Sequence, residues 1–329
     1  MKVAWFDAQD WEREYLEKEY PDFEVDFFSE SLDRDSLERA NEYDVVAIFV
    51  DSRLDAELVE DLDVNLIACR STGYDHVDIE RAAEKGIPVC NVPGYADHSV
   101  AEHTFALLLG ISRKIHSSIH RVKEGDFSHE SLRGFELRGK KLGVIGTGSI
   151  GKEVIDIANG FDMHVIASDP DPDHAAAEEM GFMYVSQEDL IEQADIISLH
   201  APLTDVTEHM LGEEEFEKMD GTVLLNTSRG ELVDTEALLE ALEDGSVEAA
   251  GLDVLEEECF FDDDISYLGD VREECDIETI LEDHILVERD DVLVTPHNGF
   301  NSEEAVKRIE DVTVRNIRTR SNIVNRPGQ

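Results

Sequence analysis

Residues 141–169 read KLGVIGTGSIGKEVIDIANGFDMHVIASD, and this stretch decides the fold. An apolar strand pattern from Leu142 to Ile145 runs into Gly146, Gly148 and Gly151. An amphipathic segment follows, then a second strand pattern, His164 to Ala167, closed by Asp169. Each glycine has a task in such a unit: the first makes the tight turn, the second lets backbone approach a pyrophosphate, and the third lets the helix pack closely on the strand. The helix N-terminus then faces the phosphates. Asp169, 18 residues beyond Gly151, stands where a carboxylate accepts both ribose hydroxyls of the adenosine half and repels a 2′-phosphate. No Arg or Lys lies between Asp169 and Glu188. The unit predicts NAD rather than NADP as cofactor.

Outward from this unit the alternation continues. Strand patterns at Ile196 to His200, Thr222 to Asn226, Ala249 to Leu252 and Val292 to Thr295 extend the sheet to six parallel strands. Upstream, KVAWFDA, FEVDFF, DVVAIFV, NLIACRS and IPVCNV recur at spacings that suit parallel strands with helical crossovers. His98 to Val122 carries apolar residues at helical spacing without a proline, which predicts one long helix. A last helical pattern, Glu303 to Ser321, comes too late for that sheet and is expected to return to the first domain. The expected fold is α/β, with two doubly wound parallel-sheet domains and a cleft between them. A Rossmann NAD-binding domain (99–297) would be joined to a discontinuous flavodoxin-like substrate domain (1–98 plus 298–329), with hinges near Ala96 to His98 and Pro296 to Asn301. An acidic insert at about 259–291 interrupts the rhythm, with a short helix expected at Asp276 to Leu281.

Composition excludes several classes. Asp and Glu total 78 against 28 Lys and Arg, a formal charge of -50, which argues against nucleic-acid binding. The acids are spread through every expected helix and loop instead of forming a tail. Self-repulsion of this size opposes compaction in dilute buffer and is screened in molar salt. The composition resembles that of proteins from salt-in halophiles. Met1 leads directly into a strand pattern with no signal-peptide features, and no apolar run is long enough to span a membrane, so a cytoplasmic protein is expected. Cys69, Cys90, Cys259 and Cys275 lack metal-ligand spacing and are expected to be reduced and structural; no metal site is expected.

Polar groups stand just past the later strands: Arg229 in NTSRGELVD, Asp253 and Glu258 in GLDVLEEE, His297 in VTPHNGF. Reduction of a 2-oxo acid by hydride transfer needs a cation for the substrate carboxylate, and arginine binds one bidentately. It also needs a proton donor titrating near neutrality, which a histidine beside a carboxylate supplies.

The order of these residues, with NVPGYADHSVAEHTFALLLG at 91–110, LHAPLTDVTEHML at 199–211 and TPHNGF at 295–300, resembles the D-isomer-specific 2-hydroxyacid dehydrogenases over nearly the whole chain. The resemblance implies that Arg229 binds the substrate carboxylate and carbonyl, that His297 is the acid-base, and that Glu258 hydrogen-bonds His297. It implies a cofactor site of Gly146, Gly148, Ser149, Ile150, Gly151 and Asp169, completed by Pro202, Thr227 and Asp253, the last on the nicotinamide carboxamide side. The backbone of Thr72 and Gly73 would grip the substrate carboxylate, with Tyr95 and Phe300 lining the pocket. The D-lactate dehydrogenase branch looks nearest, implying pyruvate as substrate and a homodimer formed through the long helix. Asn301 departs from that branch, where a second aromatic is common. A hydroxypyruvate or glyoxylate reductase uses the same residues, and some relatives of this fold are NADH-sensing binding proteins. His103, beside Glu102 on the long helix, reads as a structural or interface residue.

Overall fold

Alternate residues of the N-terminal strands enter two different cores, which is how a parallel sheet covered on both faces must read. Ala4, Val46, Ile48, Ile67, Cys69 and Val89 face one core, while Val3, Trp5, Val45, Ala47, Ala68 and Cys90 face the other. The computed structural model describes residues 1–256 and 277–325, and the chain divides into two units, Met1–Ala96 with Ser302–Gln329, and Asp97–Asn301.

In the first unit, β1 (Val3–Trp5), β2 (Val25–Phe27), β3 (Val45–Ile48), β4 (Ile67–Cys69) and β5 (Val89–Cys90) are parallel, in the order β2-β1-β3-β4-β5. The chain returns through the helix Glu303–Thr319, as the late apolar periodicity predicts. It then adds a strand that the sequence pattern does not announce. Arg320 and Asn322, both at positive φ, turn the chain so that Ile323–Asn325 pairs antiparallel with the β5 edge. Asn325 Oδ1 accepts the Val89 amide at 2.5 Å, covering an edge that would otherwise expose unpaired groups. Cys69 and Cys90 are free and buried, and burial pushes both thiols up.

Among the described residues of the second unit, seven parallel strands, not six, form one sheet: β6 (Lys141–Ile145), β7 (His164–Ser168), β8 (Met183–Tyr184), β9 (Ile196–Leu199), β10 (Thr222–Asn226), β11 (Val247–Leu252) and β12 (Val292–Val294), in the order β12-β11-β10-β9-β6-β7-β8. The extra strand, β8, is two residues long and leaves no readable alternation. Strand order reverses between β6 and β9, and ligands of open parallel sheets bind at that crevice, outside the carboxyl ends.

The expected long helix is two helices, Asp97–Ser112 and Ile115–Lys123, broken at Lys114, whose φ is +47°. The Phe135 amide donates to Ser112 O at 3.0 Å, and a Cβ on Gly134 would lie 1.9 Å from that oxygen. A remote loop thus terminates the first helix, which apolar periodicity does not reveal. The helix expected at Asp276 to Leu281 extends over Ile277–Glu288. Glu258, Cys259, Cys275 and the acidic run Asp262 to Asp264 lie outside the described residues.

Candidate active site

β6 ends in a cradle that tolerates no side chains at two of its glycines. Gly146 has φ +92°, and a Cβ there would sit 2.5 Å from His200 O; one on Gly151 would sit 2.1 Å from Gly146 O. Gly148 is different: a Cβ there would meet nothing within 4 Å. The space beside it is open, and Gly148 is the N-cap of the helix Ser149–Gly160, whose first amides, including those of Ser149 and Ile150, have no partner within the helix. Open space at a helix N-terminus is positively polarised and accepts an anion, so these residues fit the pyrophosphate of a dinucleotide.

Asp169, just past β7, is held as an anion. Its Oδ2 accepts the Thr147 amide and hydroxyl at 2.7 and 2.9 Å, and its Oδ1 accepts the Asp171 amide at 2.8 Å. Burial pushes this carboxyl up, but those donors outweigh it and hold the group below the ordinary carboxylate range. Thr147 Oγ1 also lies 2.7 Å from Tyr184 Oη. Neither Thr147 nor Tyr184 is singled out by motif spacing; Tyr184 comes from the unannounced β8.

The carboxyl ends of β10, β11 and β12 carry the remaining polar groups. Arg229 follows β10 in extended conformation; its carbonyl accepts Asn226 Nδ2 at 2.7 Å, and its Nη1 donates to Ser228 O at 2.7 Å. Gly230 packs against the chain after β11, where a Cβ would lie 1.9 Å from Leu255 O. Thr227 Oγ1 is 2.9 Å from Thr104 Oγ1, tying β10 to the helix Asp97–Ser112. Pro202 is exposed after β9, its carbonyl accepting Thr207 Oγ1 at 2.7 Å.

His297 is exposed and sits at φ +47°, a backbone state uncommon outside glycine. Its amide donates to Asp253 O at 2.8 Å. The Asp253 side chain, 2% exposed, accepts the Asn298 amide at 3.0 Å, the Gly299 amide at 2.8 Å and Thr295 Oγ1 at 2.6 Å. Burial pushes this carboxyl up, but hydrogen bonds from His103, Thr295 and Gly299 hold it below the ordinary range. His103 therefore belongs to the support of the His297 loop; its signal in the sequence was a titratable side chain on a helix that packs on the sheet.

The first unit carries Thr72, Gly73 and Tyr95. Among the described residues, the amides of Thr72 and Gly73 have no hydrogen-bond acceptor. Tyr95 is buried. Also among the described residues, no group of His, Cys, Asp and Glu could hold a metal ion, and no helix is long and apolar enough to cross a membrane.

A glycine-lined turn at a helix N-terminus, a carboxylate held as an anion past β7, and an arginine and a histidine past β10 and β12, on either side of β11, suit a dinucleotide-dependent dehydrogenase. Residues 105–299 match the family model described as D-isomer specific 2-hydroxyacid dehydrogenase, NAD binding domain. The chain is 38% identical to a 2-hydroxyacid dehydrogenase homolog of Haemophilus influenzae, covering 96% of this chain and 95% of that protein. It is 37% identical to D-lactate dehydrogenase of Escherichia coli, covering 96% of each. The solved D-lactate dehydrogenase of Aquifex aeolicus, complexed with NAD and lactic acid, superposes with a TM-score of 0.87 at 31% identity, covering 99% of this chain and 100% of that one. The chain belongs to the D-isomer-specific 2-hydroxyacid dehydrogenases, NAD-dependent oxidoreductases, and NAD is its cofactor.

Proposed function

We propose that the enzyme interconverts a short 2-oxo acid and its D-2-hydroxy acid, with pyruvate and D-lactate the first pair. The observation that carries this reading is the delivery of Arg229, Asp253 and His297 by three adjacent strands, with the His297 loop anchored on a buried carboxylate. When bound, NADH would supply the hydride chemistry of the reduction. Arg229 pairs with the substrate carboxylate and draws electron density toward the carbonyl oxygen. His297 donates its proton to that oxygen; Glu258, the residue assigned as its partner, lies outside the described residues. The first unit is the substrate domain in this reading: the Thr72 and Gly73 amides receive the carboxylate, and Tyr95 and, on the second unit, Phe300 are assigned to substrate binding.

The NAD contacts are those of Gly146, Gly148, Ser149, Ile150, Gly151, Asp169, Pro202 and Thr227. Asp253 acts on the nicotinamide side through the loop it holds. A second copy of the chain is the partner: Ile115, Ile119 and Val122 form an exposed stripe on one helix, and Phe127 beyond it is 81% exposed. The enzyme works in the cytoplasm. Replacement His297→Asn tests the catalytic assignment. Turnover should fall by roughly 100-fold to 10,000-fold with NADH affinity retained, and wild-type turnover in that variant would refute it.

A further inference from the structure

A helix that only covers a sheet needs apolar residues on its inner face, yet the helix Glu303–Thr319 buries Glu310, Thr313 and Asn316 beside Ala305, Ile309, Val314 and Ile317. Buried charge and amide groups are costly unless their partners repay the lost hydration. The partners of Glu310 and Asn316 converge on one place. Asn316 Nδ2 donates to Asn91 O at 2.7 Å, and Asn91 Nδ2 donates to Thr72 O at 2.7 Å. Glu310 Oε1 lies 3.7 Å from Nη1 of Arg70, the residue before Ser71; Arg70 also pairs with Glu12 and donates from Nη2 to Phe6 O at 2.6 Å. Arg308 Nε donates to Tyr95 O at 2.8 Å. The helix is itself clamped: Asp311 Oδ1 accepts Tyr15 Oη at 2.8 Å and Tyr20 Oη at 2.6 Å, and Arg318 lies over the rings of Tyr20 and Phe23.

The geometry of the peptide plane turns these bonds into an aiming device. In a trans peptide the carbonyl of one residue and the amide of the next point in opposite directions from one rigid plane, and there is no cis peptide among the described residues. Val92 N donates to Ser71 O at 2.9 Å, which fixes the plane that carries the Thr72 amide. Asn91 Nδ2 on Thr72 O fixes the plane that carries the Gly73 amide. Thr72 Oγ1 on Val92 O, at 2.8 Å, locks the two segments together. Both amides assigned to the substrate carboxylate are thus aimed from behind by residues 91 and 92, and Asn316 holds residue 91.

We infer that the Glu303–Thr319 helix is a positioning element for substrate, acting through Asn316 and Asn91 to orient the amides of Thr72 and Gly73. The inference rests on the assignment of those two amides to the substrate carboxylate. Asn91 and Asn316 touch no reacting atom; they act through the loop. Their loss should be felt in the affinity for the oxo acid and not in that for NADH.

The test uses the full-length enzyme and the 2-oxo acid it turns over fastest. Asn91→Ala and Asn316→Ala should each raise KM about tenfold, the scale of one charge-assisted hydrogen bond misdirected. NADH affinity, read by fluorescence, should be unchanged and kcat should fall less than KM rises. Ile309→Val, on the same helix, controls for lost packing and should lower Tm without moving KM. Asn316→Ser keeps a smaller polar group and serves if the alanine variant does not fold. Gly73→Pro removes one of the two amides and reports on the underlying assignment. If Gly73→Pro leaves KM unchanged, the loop assignment itself fails. If Gly73→Pro raises KM while the Asn91 and Asn316 variants behave like Ile309→Val, the loop assignment stands and the positioning role is overturned.

Discussion

His103 Nε2 lies 3.2 Å from Asp253 Oδ1 and 2.9 Å from Thr295 Oγ1, so a helix residue far upstream closes a buried cluster under the His297 loop. Gly299 completes the fit, because a Cβ there would lie 2.8 Å from Asp253 Oδ2. Asp253 has its oxygens committed to loop amides, a threonine and an imidazole, which makes it the anchor for the strained backbone of His297. Asp253→Ala should lower kcat by roughly 100-fold, the scale of a misplacement of about 1 Å in a catalytic group, while NADH affinity stays near wild type. A parallel loss of NADH affinity in fluorescence titration would place the carboxylate directly on the cofactor.

The glycine cradle separates folding from binding. Gly146→Ala and Gly151→Ala push a methyl group into backbone oxygen and should lower both Tm and NADH affinity. Gly148→Ala meets open space in the protein, so its stability should stay within about 0.5 kcal/mol of wild type. Its NADH affinity should drop, because the methyl occupies the approach of the pyrophosphate. Calorimetry beside a binding titration checks both, and unchanged binding in Gly148→Ala would contradict the cradle's role.

Asp169 should set the choice of cofactor. Asp169→Ser keeps a hydrogen-bonding group and removes the charge that repels a 2′-phosphate. The ratio of kcat/KM for NADH over NADPH should shrink by about tenfold or more, equivalent to about 1.4 kcal/mol. A ratio equal to wild type would move the discrimination elsewhere.

Glu310 should make stability fall with rising pH. Burial pushes its carboxyl well above the usual 4.5; Arg70 opposes this, while Glu12 and Asp311 reinforce it. Below 4.5 the group is protonated in folded and unfolded chains, so its contribution is complete there. As pH rises past 4.5 the unfolded chain loses the proton first, and the contribution is lost progressively up to the folded-state value. Glu310→Gln should flatten that decline in denaturation midpoints taken from about pH 5 to about pH 9 at constant KCl. A wild-type slope in the variant would show that other groups govern it.

The formal charge of -50 calls for salt. Raising KCl from about 0.1 M to about 1 M shortens the screening length from about 10 Å to about 3 Å and should raise Tm steeply. A Tm independent of KCl would remove the halophilic reading.

Much of this architecture was legible because parallel strands are apolar on both faces, and DVVAIFV or KLGVI admits few other readings. Gly146, Gly148, Gly151 and Asp169 were legible because their spacing is dictated by the shape of a dinucleotide. The break at Lys114 was not, since it depends on Gly134 and Phe135 arriving from elsewhere. The strands Met183–Tyr184 and Ile323–Asn325 are too short to show a period. The roles of His103 and Asn316 arise from partners distant in the chain, and a polar residue on a helix does not name its partner.

The most direct test of the proposed function is NADH oxidation by the enzyme purified in about 2 M KCl, where charge repulsion is screened, with chiral analysis of the product. Pyruvate, glyoxylate, hydroxypyruvate, phenylpyruvate and 2-oxoisocaproate would be compared. The account predicts the highest kcat/KM with pyruvate and D-lactate as the product. Preferred turnover of another oxo acid would contradict the substrate assignment, and L-lactate or no turnover despite bound NADH would contradict the proposal itself.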